Sequence, residues 1–211
     1  MLKDWSNVII PEEEEINERL EKARNKLVQQ QILIMQKKLP VLVSFDGWGA
    51  AGKGSILGKI IKNIDPRFFK VAVMDKPTED EKRRPFLYRY VINIPEAGKF
   101  TFMDGGCLDE VTKQKLSGKI TDEEYKRKIE SVKRFERQLS DNGYLVIKFF
   151  FHIGEQEQRK RLTRLLDDKN TRWRVSEYDW WQNQHYKKSL KAFDQFIDDT
   201  SQSIAPWYII D

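Results

Sequence analysis

Residues 45–55 read FDGWGAAGKGS, a glycine-rich turn that closes on a lysine. Such a turn binds phosphate because glycines let the backbone approach closely, its N–H groups converge, and the helix that follows presents the positive end of its dipole. Lys53 adds a mobile positive charge. The P-loop pattern G-x-x-x-x-G-K-[ST] is met by Gly47, Gly52 and Lys53, but Gly54 follows and Ser55 stands one place late. Gly47, Gly49, Ala50, Ala51, Gly52, Lys53, Gly54 and Ser55 are therefore the expected phosphate-binding residues. The plainer reading is a tight glycine turn between strand and helix.

Phosphoryl transfer also needs a carboxylate at the tip of another strand, where it can hold magnesium. Asp104, which ends FTFMD, is the candidate; a turn-forming Asp before Gly105 and Gly106 is the alternative. A third requirement is cationic charge over the transferred group, and EQRKRLTRLLDDKNTRWR places seven Lys or Arg between Glu157 and Arg174. Arg159, Arg161, Arg164, Arg172 and Arg174 are candidates for a lid that brings guanidinium groups in and excludes water. Arg161 and Arg164 share a helix face, from which 159 is turned away. The same charges could simply solvate a helix face with Asp167 and Asp168, or bind nucleic acid beside Trp173, Trp180 and Trp181. Trp180 and Trp181 at a capped helix start read as packing residues, so no nucleic-acid partner is expected.

The elements that must hold these groups follow from the pattern. Apolar Ile16, Leu20, Leu27, Ile32 and Ile34 place a long helix over 11–38, with acids in its first turn. LPVLVSF reads as a buried parallel strand that ends at Asp46-Gly47, and SILGKIIKNI has helical spacing, so the order is strand, glycine turn, helix. FFKVAVM is a second strand. Thr78 with Glu81 opens a helix through KPTEDEKRRPFLYRYV, with Pro85 inside its first two turns. FTFMD is a third strand, and Thr121 with Glu124 caps a helix to about Asn142. YLVIKFFFHI is a fourth strand, 155–168 is helical, Ser176 with Asp179 caps a last helix to about Asp199, and WYIID closes as a strand.

Strands alternating with helices imply an α/β fold: a three-layer αβα sandwich on a mostly parallel sheet, P-loop kinase-like with a helical lid. The 211 residues, 39% of them apolar, suit one domain over 1–211, with a helical extension at 1–39 and a basic lid at 155–175. No run of about 18 uncharged apolar residues is present, and MLKDWSNVIIPEEEE is neither a secretory signal nor a transit peptide, so no membrane partner and a cytoplasmic address are expected. Cys107 is the only cysteine and His152 and His185 the only histidines, so any metal must sit on oxygen ligands.

Together these residues resemble the polyphosphate kinase 2 family. DGWGAAGKGS resembles its phosphate loop, LVIKFFFHIGEQEQRKRLTRLLDDKNTRWR its strand and lid, and APWYIID its closing strand. IDPRFFKV, KPTEDEKRRPFLYRYVINIPEAG and KRFERQLSDNG match in order, so the similarity runs from about residue 13 to 211. It implies transfer of phosphoryl groups between inorganic polyphosphate and a nucleoside mono- or diphosphate, with Mg2+. By the resemblance Lys53, Asp104, Arg161 and Arg164 are catalytic, Lys76, Arg89 and Arg172 line the polyanion path, and the chain is a homo-oligomer or pairs with a second homologous domain.

Departures stand beside the matches. The family loop carries an aspartate where this chain has Gly49, and its Asp-Arg-Ser-Trp-Tyr-x-Arg stretch is here Asp104-Gly-Gly-Cys-Leu-Asp-Glu110. Arg84 and Tyr88 replace a histidine and a tryptophan. Losing a metal carboxylate or phosphate-facing guanidinium groups costs on the order of 100-fold or more each. Asp46 is the candidate replacement metal ligand, with Asp109 or Glu110 as further oxygen donors. The alternatives to polyphosphate transfer are a catalytically degenerate polyphosphate- or nucleotide-binding domain, one half of a two-domain phosphotransferase, and an ATP-dependent nucleotide or small-molecule kinase.

Overall fold

The computed structural model describes residues 12–74 and 76–211. The reading of residues 1–11, including the expected helix start at Pro11, lies outside them. Among the described residues no helix is long and apolar enough to cross a membrane.

The first helix, α1 (Glu13–Gln36), leads into β1 (Val41–Gly47), the glycine loop and α2 (Lys53–Ile61). Next come β2 (Phe69–Val73), the short helices α3 (Glu79–Arg83) and α4 (Tyr88–Val91), and β3 (Phe100–Asp104). Two helices, α5 (Cys107–Leu116) and α6 (Asp122–Asp141), precede β4 (Leu145–Phe151). After it, α7 (Glu155–Asp167), α8 (Glu177–Gln184) and α9 (Tyr186–Thr200) lead to β5 (Trp207–Ile210).

The strands form one sheet in the order β2-β3-β1-β4-β5, and every pairing is parallel. This is the expected α/β class. β1 is central, and its register sets Phe45 against Asp104 and Gly47 against Phe151. The ends of β1, β3 and β4 therefore finish side by side, where an open parallel sheet binds ligands.

Both faces of β1 are buried, which accounts for its unbroken apolar run. Val41, Val43 and Phe45 join Phe100 and Phe102 in a core with Leu57 and Ile64, against which Leu27 and Ile34 of α1 pack. Leu42 meets Met103, Val146, Tyr90 and Leu139 in a second cluster. Each fully buried side chain of this kind contributes roughly 1.5–3 kcal/mol. The lysine inside LVIKFFF is explained by pairing: Lys148 Nζ donates to both Glu136 oxygens at 2.9 Å and to the Thr200 carbonyl at 3.0 Å, tying β4 to α6 and α9.

All three expected capping boxes form, at Thr78/Glu81, Thr121/Glu124 and Ser176/Asp179. Two expected helices are broken. The helix through Pro85 stops at Arg84, which is extended at φ −88°, ψ 159°, because proline excludes the helical conformation from the residue before it. The last helix divides at His185 (φ −113°, ψ 36°), and the turn lets Tyr186 stack on Trp48 at 4.1 Å and donate to the Ile153 carbonyl at 2.7 Å. After Gly105 and Gly106 a helix to which the sequence reading assigned no element, α5, opens at Cys107.

Candidate phosphate-binding site

The glycine loop turns sharply at three places: Gly47 has φ 135°, Ala50 61° and Gly52 93°. Glycine is required at 47 for space as well, since a Cβ there would lie 2.3 Å from the Phe151 carbonyl oxygen. The loop is pinned to the core by Trp48, which is fully buried, donates its backbone N–H to that same carbonyl at 3.1 Å and packs edge-on against Phe193. Helix α2 begins at Lys53, and the N–H groups of its first turn have no partner within the helix, so they face the mouth of the loop. Lys53 Nζ arches back to the Gly47 and Trp48 carbonyls, at 3.1 and 3.0 Å.

Trp48 Nε1 also donates to His152 Nδ1 at 3.1 Å, as suits a hydrogen-bonded residue at a strand end. His152 must therefore be neutral, with its proton on Nε2, and burial lowers its pKa below 6.5 although Asp211 opposes the shift. The unfolded chain then takes up this proton first as pH falls, so the stability that the neutral ring contributes is complete above pH 6.5 and is lost below it. Urea unfolding of the parent and of His152→Gln should show the parent losing more stability between pH 7 and pH 5; parallel losses would contradict the assignment.

Carboxylates gather around Lys53. Asp46 is buried at the end of β1 and accepts from the Gly106 N–H at 2.9 Å and from Ser44 Oγ at 3.2 Å. Burial and the charge of Asp109 push Asp46 up to about 7, while Lys53 opposes. Asp109, on the first turn of α5, is raised by burial and by Asp179 and Asp104, again against Lys53. Gly106 is glycine because a Cβ would fall 2.2 Å from Asp46 Oδ2. Asp104 ends β3, with Oδ2 at 4.0 Å from the position a Gly54 Cβ would take. Lys53, Asp46, Asp104 and Asp109 thus share one electrostatic site. Among the described residues no group of three or more carboxylate, cysteine or histidine side chains is placed to hold a metal ion.

Gly49, one of the expected loop residues, is also a junction whose partners the sequence did not mark. Its N–H donates to Gln182 Oε1 at 2.9 Å and its carbonyl accepts from Gln158 Nε2 at 3.3 Å. A Cβ on Gly49 would sit 2.2 Å from Asp179 Oδ1. Asp179 was legible only as the partner of Ser176 in a capping box; its Oδ2 does accept from the Ser176 N–H and hydroxyl, while the other oxygen is turned to the loop. No local pattern marks Gln158 or Gln182.

The remaining candidates are placed differently. Arg161 lies on α7 with Nε at 2.7 Å from Glu157, and Arg164 and Arg172 are exposed. None of the three has a hydrogen bond or ion pair with Lys53 among the described residues. Arg159 turns to α8, donating to Asn183 Oδ1 at 3.2 Å. Lys76 is exposed and near enough to Lys113 to depress its pKa, second to burial. Arg89 is buried at 8% exposure, with its guanidinium 3.3 Å from Glu81 and 3.7 Å from Glu110. Glu110 in turn accepts from the Tyr90 hydroxyl at 3.0 Å. Burial, reinforced by Asp46, Glu136 and Glu110, raises the Cys107 thiol well above its ordinary range, which leaves it a poor nucleophile.

Comparison with known proteins adds the following. The family described as Polyphosphate kinase 2 (PPK2) matches residues 11–211. A polyphosphate:AMP phosphotransferase of Pseudomonas syringae pv. tomato is 31% identical over 189 residues, covering 89% of this chain and 38% of that protein. An AMP/ADP-polyphosphate phosphotransferase of Meiothermus ruber is 29% identical over 195 residues, covering 92% of this chain and 71% of that protein. The crystal structure of a polyphosphate kinase 2 from Arthrobacter aurescens TC1 superposes with a TM-score of 0.85 at 26% identity, over 90% of this chain and 69% of that one. The chain thus spans well under half the length of the first relative and about seven tenths of the other two.

Proposed function

The chain belongs to the polyphosphate kinase 2 family, and from that premise we propose that it moves a phosphoryl group between inorganic polyphosphate and a nucleoside mono- or diphosphate. The observation that carries this reading is Lys53, whose ammonium lies over the turn at the carboxyl edge of the sheet, with Asp46, Asp104 and Asp109 acting on one charge field.

In this reading the amides of residues 50–55 and Lys53 hold phosphate oxygens, with Gly47, Gly49 and Gly52 shaping the loop. The oxygen donors fit magnesium, which commonly takes one or two carboxylates and completes its shell with water and substrate phosphates. Asp104 would hold it, with Asp46 next in line; bound there, the ion neutralises charge on the phosphate oxygens. Asp46 already braces the Gly106 turn, so it sets the loop against β3 whether or not it meets a metal. Arg161, Arg164 and Arg172 neutralise the polyphosphate from the lid at 155–175, and Lys76 continues its path. Arg89, held between Glu81 and Glu110, stiffens the wall behind that path. No general base is required, since the attacking phosphate oxygen of the acceptor is already anionic.

We further read residues 1–211 as one phosphotransferase domain with an N-terminal extension at 1–39, cytoplasmic, and assembled with a second copy or a second homologous domain. Turnover of AMP and ADP, each with long-chain polyphosphate and magnesium, should yield ADP and ATP. No turnover with any nucleotide would overturn transfer. A second reading, binding without transfer, is favoured by Gly49, which gives the loop no carboxylate; it requires salt-sensitive polyphosphate binding in a chain that shows no turnover.

A further inference from the structure

Three neutral amide side chains are buried where α7, α8 and the glycine loop meet: Gln158 and Asn183 at 0% exposure and Gln182 at 2%. An unpartnered buried amide costs about 1–3 kcal/mol, so such a group persists only where its bonds are made. Here they are made in one direction. The Gly49 N–H can only donate, so Gln182 presents Oε1 to it at 2.9 Å. Gln158 must then present Nε2, which donates to Gln182 Oε1 at 2.9 Å and to the Gly49 carbonyl at 3.3 Å. Its Oε1 accepts from Asn183 Nδ2 at 3.0 Å, and that nitrogen also donates to the Glu155 carbonyl at 2.9 Å. Arg159 closes the chain on Asn183 Oδ1.

We propose that Gln182 and Gln158 are positioning residues, which clamp both polar groups of the Gly49 peptide and so fix the direction of the loop amides that follow it. The clamp joins the loop to the start of α7, the helix that carries Arg161 and Arg164. Loop shape and lid base are therefore one mechanical unit. The consequence for phosphate binding rests on the functional reading above; the clamp itself does not.

The two glutamines make opposite demands, and this separates a clamp from ordinary packing. Gln182→Glu keeps an acceptor oxygen for Gly49, whereas Gln158→Glu places an oxygen against two acceptors. Amide exchange at Gly49, measured by NMR on the full chain with Val43 as a core reference, is the direct readout. Inorganic tripolyphosphate binding by calorimetry is the second. In Gln182→Leu and Gln158→Glu we expect Gly49 exchange to quicken at least tenfold with Val43 unchanged, and tripolyphosphate affinity to fall several-fold. Gln182→Glu should retain both. If Gln158→Glu does not fold, the contrast of Leu with Glu at 182 decides. Equal exchange in those two variants overturns the clamp, whatever the turnover. Loss of protection as expected in a chain with no polyphosphate turnover supports the clamp and refutes only the transfer reading.

Discussion

Lys53→Ala should lower the turnover of polyphosphate with AMP or ADP by on the order of 100- to 1000-fold, the range seen when one preorganised charge or donor is removed from a transition state. The fall should appear mainly in kcat. On the proposed reading polyphosphate would be held by many charges, of which Lys53 is one, whereas the charge that develops at the reacting phosphoryl group would lie over the turn onto which this ammonium folds. Lys53→Arg should rescue little, because a planar fork does not replace a compact ammonium folded onto two carbonyls. The fold should tolerate the change, since Lys53 is only half-buried and its two bonds go to backbone carbonyls of its own loop. Asp46 and Asp109 would lose the cation that opposes their raised pKa values and would hold their protons to higher pH. Turnover within tenfold of the parent would place the chemistry away from this loop.

Gly47→Ala should destabilise the chain by about 4 kcal/mol or more, a large part of the 5–15 kcal/mol that holds a typical domain folded. Two independent costs combine. A side chain at φ 135° carries about 1–3 kcal/mol of backbone strain. Its Cβ would also lie 2.3 Å from the oxygen, 2.6 Å from the nitrogen and 2.9 Å from the carbonyl carbon of Phe151. Those atoms are backbone of β4, paired to β1 along seven residues, so no rotamer change relieves the contact. Gly58→Ala is the control: the position lies inside α2 with nothing within 4 Å, and alanine there should stabilise by about 0.5–1 kcal/mol. Urea unfolding of both variants checks the contrast. Similar stabilities would mean that β1 and β4 separate more easily at this end than their pairing implies.

Legibility followed the range of the forces involved. The strand, glycine turn and helix around Lys53 were readable because burial on both faces and the turn's steric needs act within a dozen residues. The capping boxes were readable for the same reason, since each closes over three positions. Pro85 is a local signal too, and the break at Arg84 follows from it, against the continuous helix read from the capping box at Thr78. The break at His185 has no such mark; it is set by Tyr186 finding Trp48 across the fold.

By itself, then, the sequence determined the parallel α/β plan, the position of the glycine-rich loop at the end of a central strand and the family to which the chain belongs. Tertiary structure decided what the loop touches. The Gly49 N–H meets a glutamine 133 residues further along the chain and its carbonyl another 109 residues away. Burial and the charge of Asp109 push the Asp46 carboxyl up to about 7, and Arg89 is enclosed by Glu81 and Glu110. A hydrogen bond or a buried charge depends on distance and solvent access, and neither quantity exists until the helices have closed over the sheet.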